Sequence, residues 1–171
     1  QASSGPDAIT DSPNADYLND TNSWIYTPAV NLSNQRTSKL EFKIYGIAEA
    51  GYDALWVEAS SNASIWSPVN LQLPGDPNLY NGVTGEFAAW TTLIAELEAY
   101  DNKNTVYVRF RLTSDFIEVR DGYYIDDVEV IIEEDARKTK GAASLQMQIS
   151  SGADHVSADD LRVFAAKDGN Y

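Results

Sequence analysis

The stretch Thr105-Val106-Tyr107-Val108-Arg109-Phe110-Arg111-Leu112 alternates between two kinds of side chain. Its four even-numbered positions are all apolar, and the positions between them are Tyr107, Arg109 and Arg111. Successive side chains of a β-strand point to opposite faces of the sheet, so a period of two indicates a strand with one face on a core. The stretch therefore predicts a strand that packs on one side only.

Similar alternation recurs along the chain. It is found in Ser38–Tyr45 and Ala54–Ala59, and Tyr123–Ile132 closes the main block of strand candidates. The segments between are polar and contain Asn, Gly or Pro, and Thr91–Tyr100 is a marginal candidate for a turn or two of helix. Many short strands joined by such loops predict an all-β fold, a two-sheet jelly-roll β-sandwich.

A charged segment, Glu133–Gly141, is the strongest candidate for a boundary. We expect a jelly-roll domain in residues 1–134, and a charged linker with extra strands in residues 135–171. The strand candidates of this tail are Ala143–Ser150 and Leu161–Ala166. They are predicted to complete the sheet within the chain or to pair with a neighbouring copy. The alternative is that they open a further domain truncated at Tyr171.

The charge balance excludes several classes of partner. The chain has 12 Lys and Arg against 26 Asp and Glu, a net charge of −14. Nucleic acids and anionic membranes require a basic surface, whereas an acidic one suits cations or a basic partner. No apolar run is long enough for a membrane span, and no signal peptide is recognisable. With no cysteine, disulfides and thiolate zinc sites are excluded. The composition fits an extracellular prokaryotic protein.

Catalytic patterns are scarce. His155 is the only histidine and lies in a turn-like setting, so any Ser/His/Asp triad would depend on it alone. No phosphate-binding glycine loop and no GxSxG element occurs. The sequence therefore predicts a protein that is not an enzyme.

Asp126 and Asp127 are neighbours in a predicted strand, so their side chains are expected to point to opposite faces of the sheet. Asp126 shares its parity with Val128 and Val130, so it begins an inward row if the valines face the core. A carboxylate placed there must be paired with an arginine, hydrogen-bonded by loop amides, or bound to a metal such as calcium. Further oxygen ligands are available in or beside turns, at Asp16, Asn19, Asp20 and Asp53.

Several motifs in the first 130 residues resemble one family. They include Thr10-Asp11-Ser12-Pro13, Glu49-Ala50-Gly51-Tyr52-Asp53, Ser114-Asp115 and Tyr124-Ile125-Asp126-Asp127-Val128. The motifs and their order make the chain similar to the jelly-roll accessory domains of secreted subtilisin-like and immune-inhibitor-A-like peptidases. These domains are related to MAM domains and to cleaved adhesin modules. The last motif also resembles the calcium-bearing end of carbohydrate-binding jelly rolls, and this resemblance implies a calcium-stabilised domain with Asp126 as a ligand.

Exposed aromatic rings are the second kind of candidate site. Trp56 and Tyr107 lie opposite the apolar rows of their strands, so they are the ligand-binding candidates. The leading hypothesis is a secreted or cell-surface module that binds protein or glycan. The alternative is a self-assembling subunit of an extracellular fibre or surface layer that exchanges strands.

Overall fold

Two antiparallel β-sheets form the molecule. The computed structural model describes residues 2–5, 7–13 and 15–132, together with the backbone of residues 166–167. The six long strands are β2 (Asn22–Tyr26), β3 (Lys39–Ile47), β4 (Ala54–Ser60), β9 (Glu86–Glu96), β10 (Tyr107–Thr113) and β11 (Gly122–Ile131). The short ones are β1 (Ile9–Thr10), β5 (Ser67–Pro68), β6 (Leu71–Gln72), β7 (Leu79–Tyr80), β8 (Gly82–Val83) and β12 (Ala166–Lys167).

The order of strands is that of a jelly roll. Sheet A has the order β1-β11-β3-β9-β6-β7, and sheet B has the order β12-β2-β10-β4-β5, with β8 also paired to β4. Along the chain the six long strands alternate between sheet B and sheet A. This winding places the two sheets face to face, and the predicted two-sheet β-sandwich is confirmed.

The core lies between the sheets and follows the predicted alternation. In β10, Val108, Phe110 and Leu112 are buried, while the residues between them are half-buried on the outer face. Phe110 meets Phe42 of β3 edge to face, with ring centroids 5.0 Å apart. Burying a side chain of this size contributes about 1.5–3 kcal/mol, so these rows stabilise the pairing of the sheets.

The marginal helix candidate Thr91–Tyr100 is mostly strand. β9 continues to Glu96, and only Glu98–Tyr100 forms a single 3-10 turn. Leu93, Ala95 and Leu97 alternate inward and are fully buried. Pairing with β3 along most of its length holds β9 extended, which outweighs a weak local helical preference.

The inward placement of Asp126 is also wrong, because β11 contains a bulge. Asp126 lies opposite Lys43 and Glu129 lies opposite Glu41, so β11 carries one extra residue between these pairs. Asp127 has a φ of 50° at this point. A bulge shifts the parity of every residue after it. Asp126 is therefore half-buried on the outer face of sheet A.

The tail falls mostly outside the described residues. The Glu133–Gly141 boundary, His155 and the strand candidate Ala143–Ser150 all lie there. Of the strand candidate Leu161–Ala166, only Ala166 belongs to a described strand, β12. This strand pairs antiparallel with Ser23 and Trp24 of β2. No helix within residues 2–5, 7–13, 15–132 or 166–167 is long and apolar enough to cross a membrane.

Candidate functional site

Three loops meet at one end of the sandwich, and we call them the loop end: residues 15–21, 49–53 and 114–121. Hydrogen bonds between main-chain groups tie the first loop to the third. The amide of Tyr17 donates to the carbonyl of Arg120 at 2.9 Å, and the amide of Asp20 donates to that of Asp115 at 2.7 Å. The Asp115 amide in turn donates to Oδ1 of Asp53 at 2.8 Å, which brings in the second loop.

A group of three carboxylates lies inside the loop end. Glu49, Asp53 and Asp115 each offer one carboxylate oxygen, and these oxygens lie within 4.8 Å of one another. Asp53 is fully buried, and its Oδ2 accepts a hydrogen bond of 2.5 Å from the hydroxyl of Tyr17. The same hydroxyl oxygen accepts the amide of Glu49 at 3.1 Å. Tyr17 thereby fixes two members of the group.

The electrostatics of the group are unfavourable for the protein alone. Oε2 of Glu49 is buried and has no hydrogen-bond partner among the described residues. Burial raises the pKa of Glu49, and the charges of Asp115 and Asp53 raise it further, while Arg120 opposes them. A buried acceptor without a donor is costly, and a bound cation is one kind of group that would satisfy it.

The donor set fits a hard divalent cation. Calcium takes six to eight oxygen ligands, including carboxylates that bind through one or both oxygens. Three clustered carboxylates and one orphaned oxygen match this chemistry. Zinc and other softer metals prefer nitrogen or sulfur ligands, which the group does not contain.

The structure brings some of the predicted metal ligands together. Asp53 belongs to the carboxylate group, and Asp16, Asn19 and Asp20 lie on the neighbouring loop, where all three are exposed. The side-chain amide of Asn19 donates to the carbonyl of Phe116 at 3.0 Å, so it holds the loops together. Calcium ligation by these loop residues stays a prediction.

Sequence reasoning missed Glu49 and Asp115 as members of the carboxylate group. A signal was present for the first, because Glu49 and Asp53 flank a short turn, closed by the Asp53 amide donating to the Glu49 carbonyl at 3.1 Å. Asp115 lies two residues beyond the end of β10, and only the fold brings it to this turn.

Asp126 makes a different set of contacts. Its Oδ2 accepts the amides of Ser3 and Ser4 at 2.8 and 2.9 Å, and its Oδ1 accepts the amide of Asp127 at 2.8 Å. Of the alternatives open for this carboxylate, hydrogen bonding to loop amides is the one that the structure shows. Asp127 pairs with Lys43 at 2.8 Å, and the pKa of Asp127 is lowered by that partner and by Ser4. Calcium ligation by Asp126 stays a prediction.

A second candidate site covers the outer side of sheet B, which we call the aromatic face. Its members are Trp24, Tyr26, Trp56, Trp66 and Tyr107. Trp56 and Tyr107 are half-buried on this face, as strand parity predicted. The rings of Trp66 and Tyr107 lie 6.0 and 6.4 Å from that of Tyr26. Three of the five rings, those of Tyr26, Trp66 and Tyr107, therefore form one contacting group.

Two arginines and one glutamate lie within the aromatic face. Arg109 and Arg111 both donate to Oε2 of Glu58, at 2.6 and 3.0 Å. Burial acts to raise the pKa of Glu58, but the hydrogen bonds from Arg111 and Arg109 outweigh it and the pKa is lowered. The Arg109 guanidinium also lies 4.5 Å from the centre of the Trp66 ring. These contacts tie the two arginines to the face, and the three residues together carry one more positive than negative charge.

The fold and these two sites define a β-sandwich domain with clustered carboxylates at one end and an aromatic outer face. No family model matches the chain. It is 28% identical over 155 residues to Bacillopeptidase F of Bacillus subtilis (strain 168), a match that covers 88% of this chain and 10% of that protein. The chain thus spans about a tenth of the length of this curated relative and resembles one part of a bacterial peptidase.

Proposed function

We propose that the chain is a non-catalytic, calcium-stabilised binding module of a secreted or cell-surface bacterial protein. The observation that carries the binding role is the aromatic face, where rings from β2, β4 and β10 and from Trp66 lie outside the core. Aromatic rings contribute large contact area with few rotatable bonds, and they are enriched in binding surfaces. The partner is a protein or a glycan of the cell surface.

Calcium is the cofactor that we assign to the loop end. The support is the group Glu49, Asp53 and Asp115 with its orphaned Glu49 oxygen. A cation there neutralises mutual repulsion and links residues 49–53 to residues 114–121, two loops that have no regular secondary structure. A ligand that binds only the folded state raises its stability.

The non-catalytic role is supported by the extent of the similarity. The match to Bacillopeptidase F covers 10% of that protein, and the chain's single histidine, His155, stands apart from any catalytic pattern in the sequence. The module is therefore an accessory domain of a longer secreted protein, similar in kind to MAM-like and cleaved-adhesin-like domains.

The binding role is tested with polysaccharides and coated protein surfaces. We expect the domain to be retained by at least one member of a panel of cellulose, chitin, peptidoglycan and collagen. Trp56→Ala and Tyr107→Ala are expected to weaken that retention at least tenfold. Tyr80→Ala, an exposed tyrosine on sheet A, is the matched control and retains full binding. If the wild type and the three variants bind equally and have the same melting curves, the aromatic face is not the binding surface.

The alternative function, strand exchange in an extracellular assembly, has one observation in its favour. β12 adds to β2 at the edge of sheet B, so tail residues are able to extend this sheet. In a strand-exchanged assembly the same edge accepts the tail of a neighbouring copy. Filaments that form with increasing protein concentration, seen by electron microscopy, would favour this function over a monomeric binding module.

A further inference from the structure

Exposed apolar side chains are concentrated at the loop end. Among the described residues, the five most exposed large apolar side chains are Leu18 (70%), Tyr52 (69%), Ile65 (74%), Phe116 (70%) and Ile117 (65%). All but Ile65 lie on the three loops that surround the carboxylate group. Single exposed apolar residues are ordinary, but a cluster of them marks a site of interaction.

The loops that carry these side chains are held in place. The hydroxyl of Ser114 donates to the carbonyl of Leu18 at 2.8 Å, and the amide of Ile117 donates to Oδ1 of Asp115 at 2.8 Å. The Asn19 side chain also holds the carbonyl of Phe116. Because these contacts fix the backbone, the loops lose little backbone conformational entropy when a partner binds.

The charge around the side chains indicates which partner fits. Residues 15–21, 49–53 and 114–121 contain seven acidic residues and a single basic one, Arg120. One bound calcium ion would leave this surface acidic. An acidic surface is repelled by anionic lipid headgroups, whereas it attracts a basic protein surface and speeds its association.

We propose that the loop end is a docking surface for a basic protein segment that also carries apolar side chains. Leu18, Tyr52, Phe116 and Ile117 supply the apolar contacts, and the surrounding carboxylates pair with Lys or Arg of the partner. This surface is separate from the aromatic face, so it does not depend on the function proposed for that face.

The test uses a synthetic amphipathic peptide of leucine and lysine, with binding measured by fluorescence anisotropy. We expect the domain to bind this peptide at least tenfold more tightly than a peptide with every leucine replaced by alanine. The double variant Phe116→Ser/Ile117→Ser is expected to lose at least tenfold in affinity. Ile65→Ser is the matched control, since Ile65 is equally exposed but lies outside the loop end, and it retains the wild-type affinity.

Two outcomes overturn the proposal. One is that Phe116→Ser/Ile117→Ser and Ile65→Ser show the same peptide affinity, whether both are weakened or both are unchanged. This comparison requires that both variants keep the wild-type melting temperature. The other is calcium-dependent binding to vesicles of phosphatidylcholine and phosphatidylserine that requires Phe116 and Ile117, which would identify a lipid surface as the partner. Because all these residues are exposed, the substitutions leave the core intact.

Discussion

Gly46 shows how one residue sets the approach of two strands in sheet A. Its φ is 124°, a conformation that side chains with a Cβ rarely adopt. A Cβ at this position would collide with the carbonyl oxygen of Gly122 and lie 3.2 Å from the Cα of Tyr123. Since both neighbours belong to the backbone of β11, neither is able to move without breaking the pairing.

We therefore expect Gly46→Ala to destabilise the domain by about 2 kcal/mol or more. For a chain of this size, that lowers the Tm by about 4–8 °C, measured by circular dichroism. Gly75→Ala is the control, because Gly75 also has a positive φ of 75° but nothing lies within 4 Å of its Cβ position. A Gly46 variant that melts no lower than the Gly75 variant contradicts the steric explanation.

The carboxylate group illustrates the limit of prediction at the residue scale. Asp53 was found as a candidate because it lies beside a turn. Asp115 was not, because about sixty positions separate it from Asp53 in the sequence and only the closing of the sandwich brings them together. A group of carboxylates contributed by separate loops has no local sequence pattern that identifies its members.

At the scale of the strand, the elements that were predicted correctly are those with a clear alternation of polar and apolar residues. β3 and β10 alternate without interruption, so both were predicted from polarity alone. β9 was not predicted as a strand, because its last two residues begin an Ala-Glu-Leu-Glu-Ala run over residues 95–99, which is composed of residues that also favour helix. The bulge in β11 was missed for a similar reason, since it depends on the register with β3 and has no distinctive sequence.

Glu58 links two arginines of β10 to β4, and it provides a prediction at this scale. Its side chain is 5% exposed, and those of Arg109 and Arg111 are 15% and 22% exposed. Removing one partner of a buried ion pair leaves the other charges uncompensated. We expect Glu58→Gln to lower the free energy of unfolding by about 2–3 kcal/mol at pH 7, measured by urea denaturation.

The pH dependence of this effect has a definite sign. The pKa of Glu58 is lowered in the folded state, so its contribution is present above the usual glutamate range and is lost as the pH falls through the lowered pKa. The difference in stability between wild type and Glu58→Gln is thus expected to shrink below about pH 4. Glu86→Gln, an exposed glutamate, should show no such difference. A difference that stays constant from pH 7 to pH 3 would show that Glu58 acts through packing and not through charge.

At the scale of the whole molecule, the tail extends sheet B, because β12 pairs with β2. Without β12, β2 is the edge strand of sheet B. Unpaired edges promote association with other chains unless they are covered. The tail is therefore predicted to protect this edge, either within the chain or between chains.

Deleting residues 142–171 tests that prediction. We expect the shortened protein to melt at a lower temperature and to self-associate more readily, as measured by light scattering across a range of concentrations. A soluble monomer with unchanged stability would show that the tail does not protect the edge of sheet B. Replacing only residues 142–160 with a flexible linker of the same length serves as the control, because it keeps the residues that pair with β2.

The central claim is that Glu49, Asp53 and Asp115 form a calcium site. Without a cation the charge of Glu49, which has one buried oxygen and lies near Asp53 and Asp115, is unfavourable, so neutralising it relieves repulsion. With calcium the same substitution removes a ligand. One change is therefore predicted to have opposite effects on stability in the two conditions.

The most direct measurement is the Tm of the wild type and of Glu49→Gln, in excess chelator and in excess calcium. We predict that Glu49→Gln melts higher than the wild type in chelator and lower in calcium, because the wild type gains about 2.7 kcal/mol at a calcium concentration 100-fold above its Kd. Glu98→Gln, an exposed glutamate outside the loop end, should follow the wild type in both conditions. A wild-type Tm that calcium leaves unchanged, or an equal gain in Glu49→Gln, would contradict the claim.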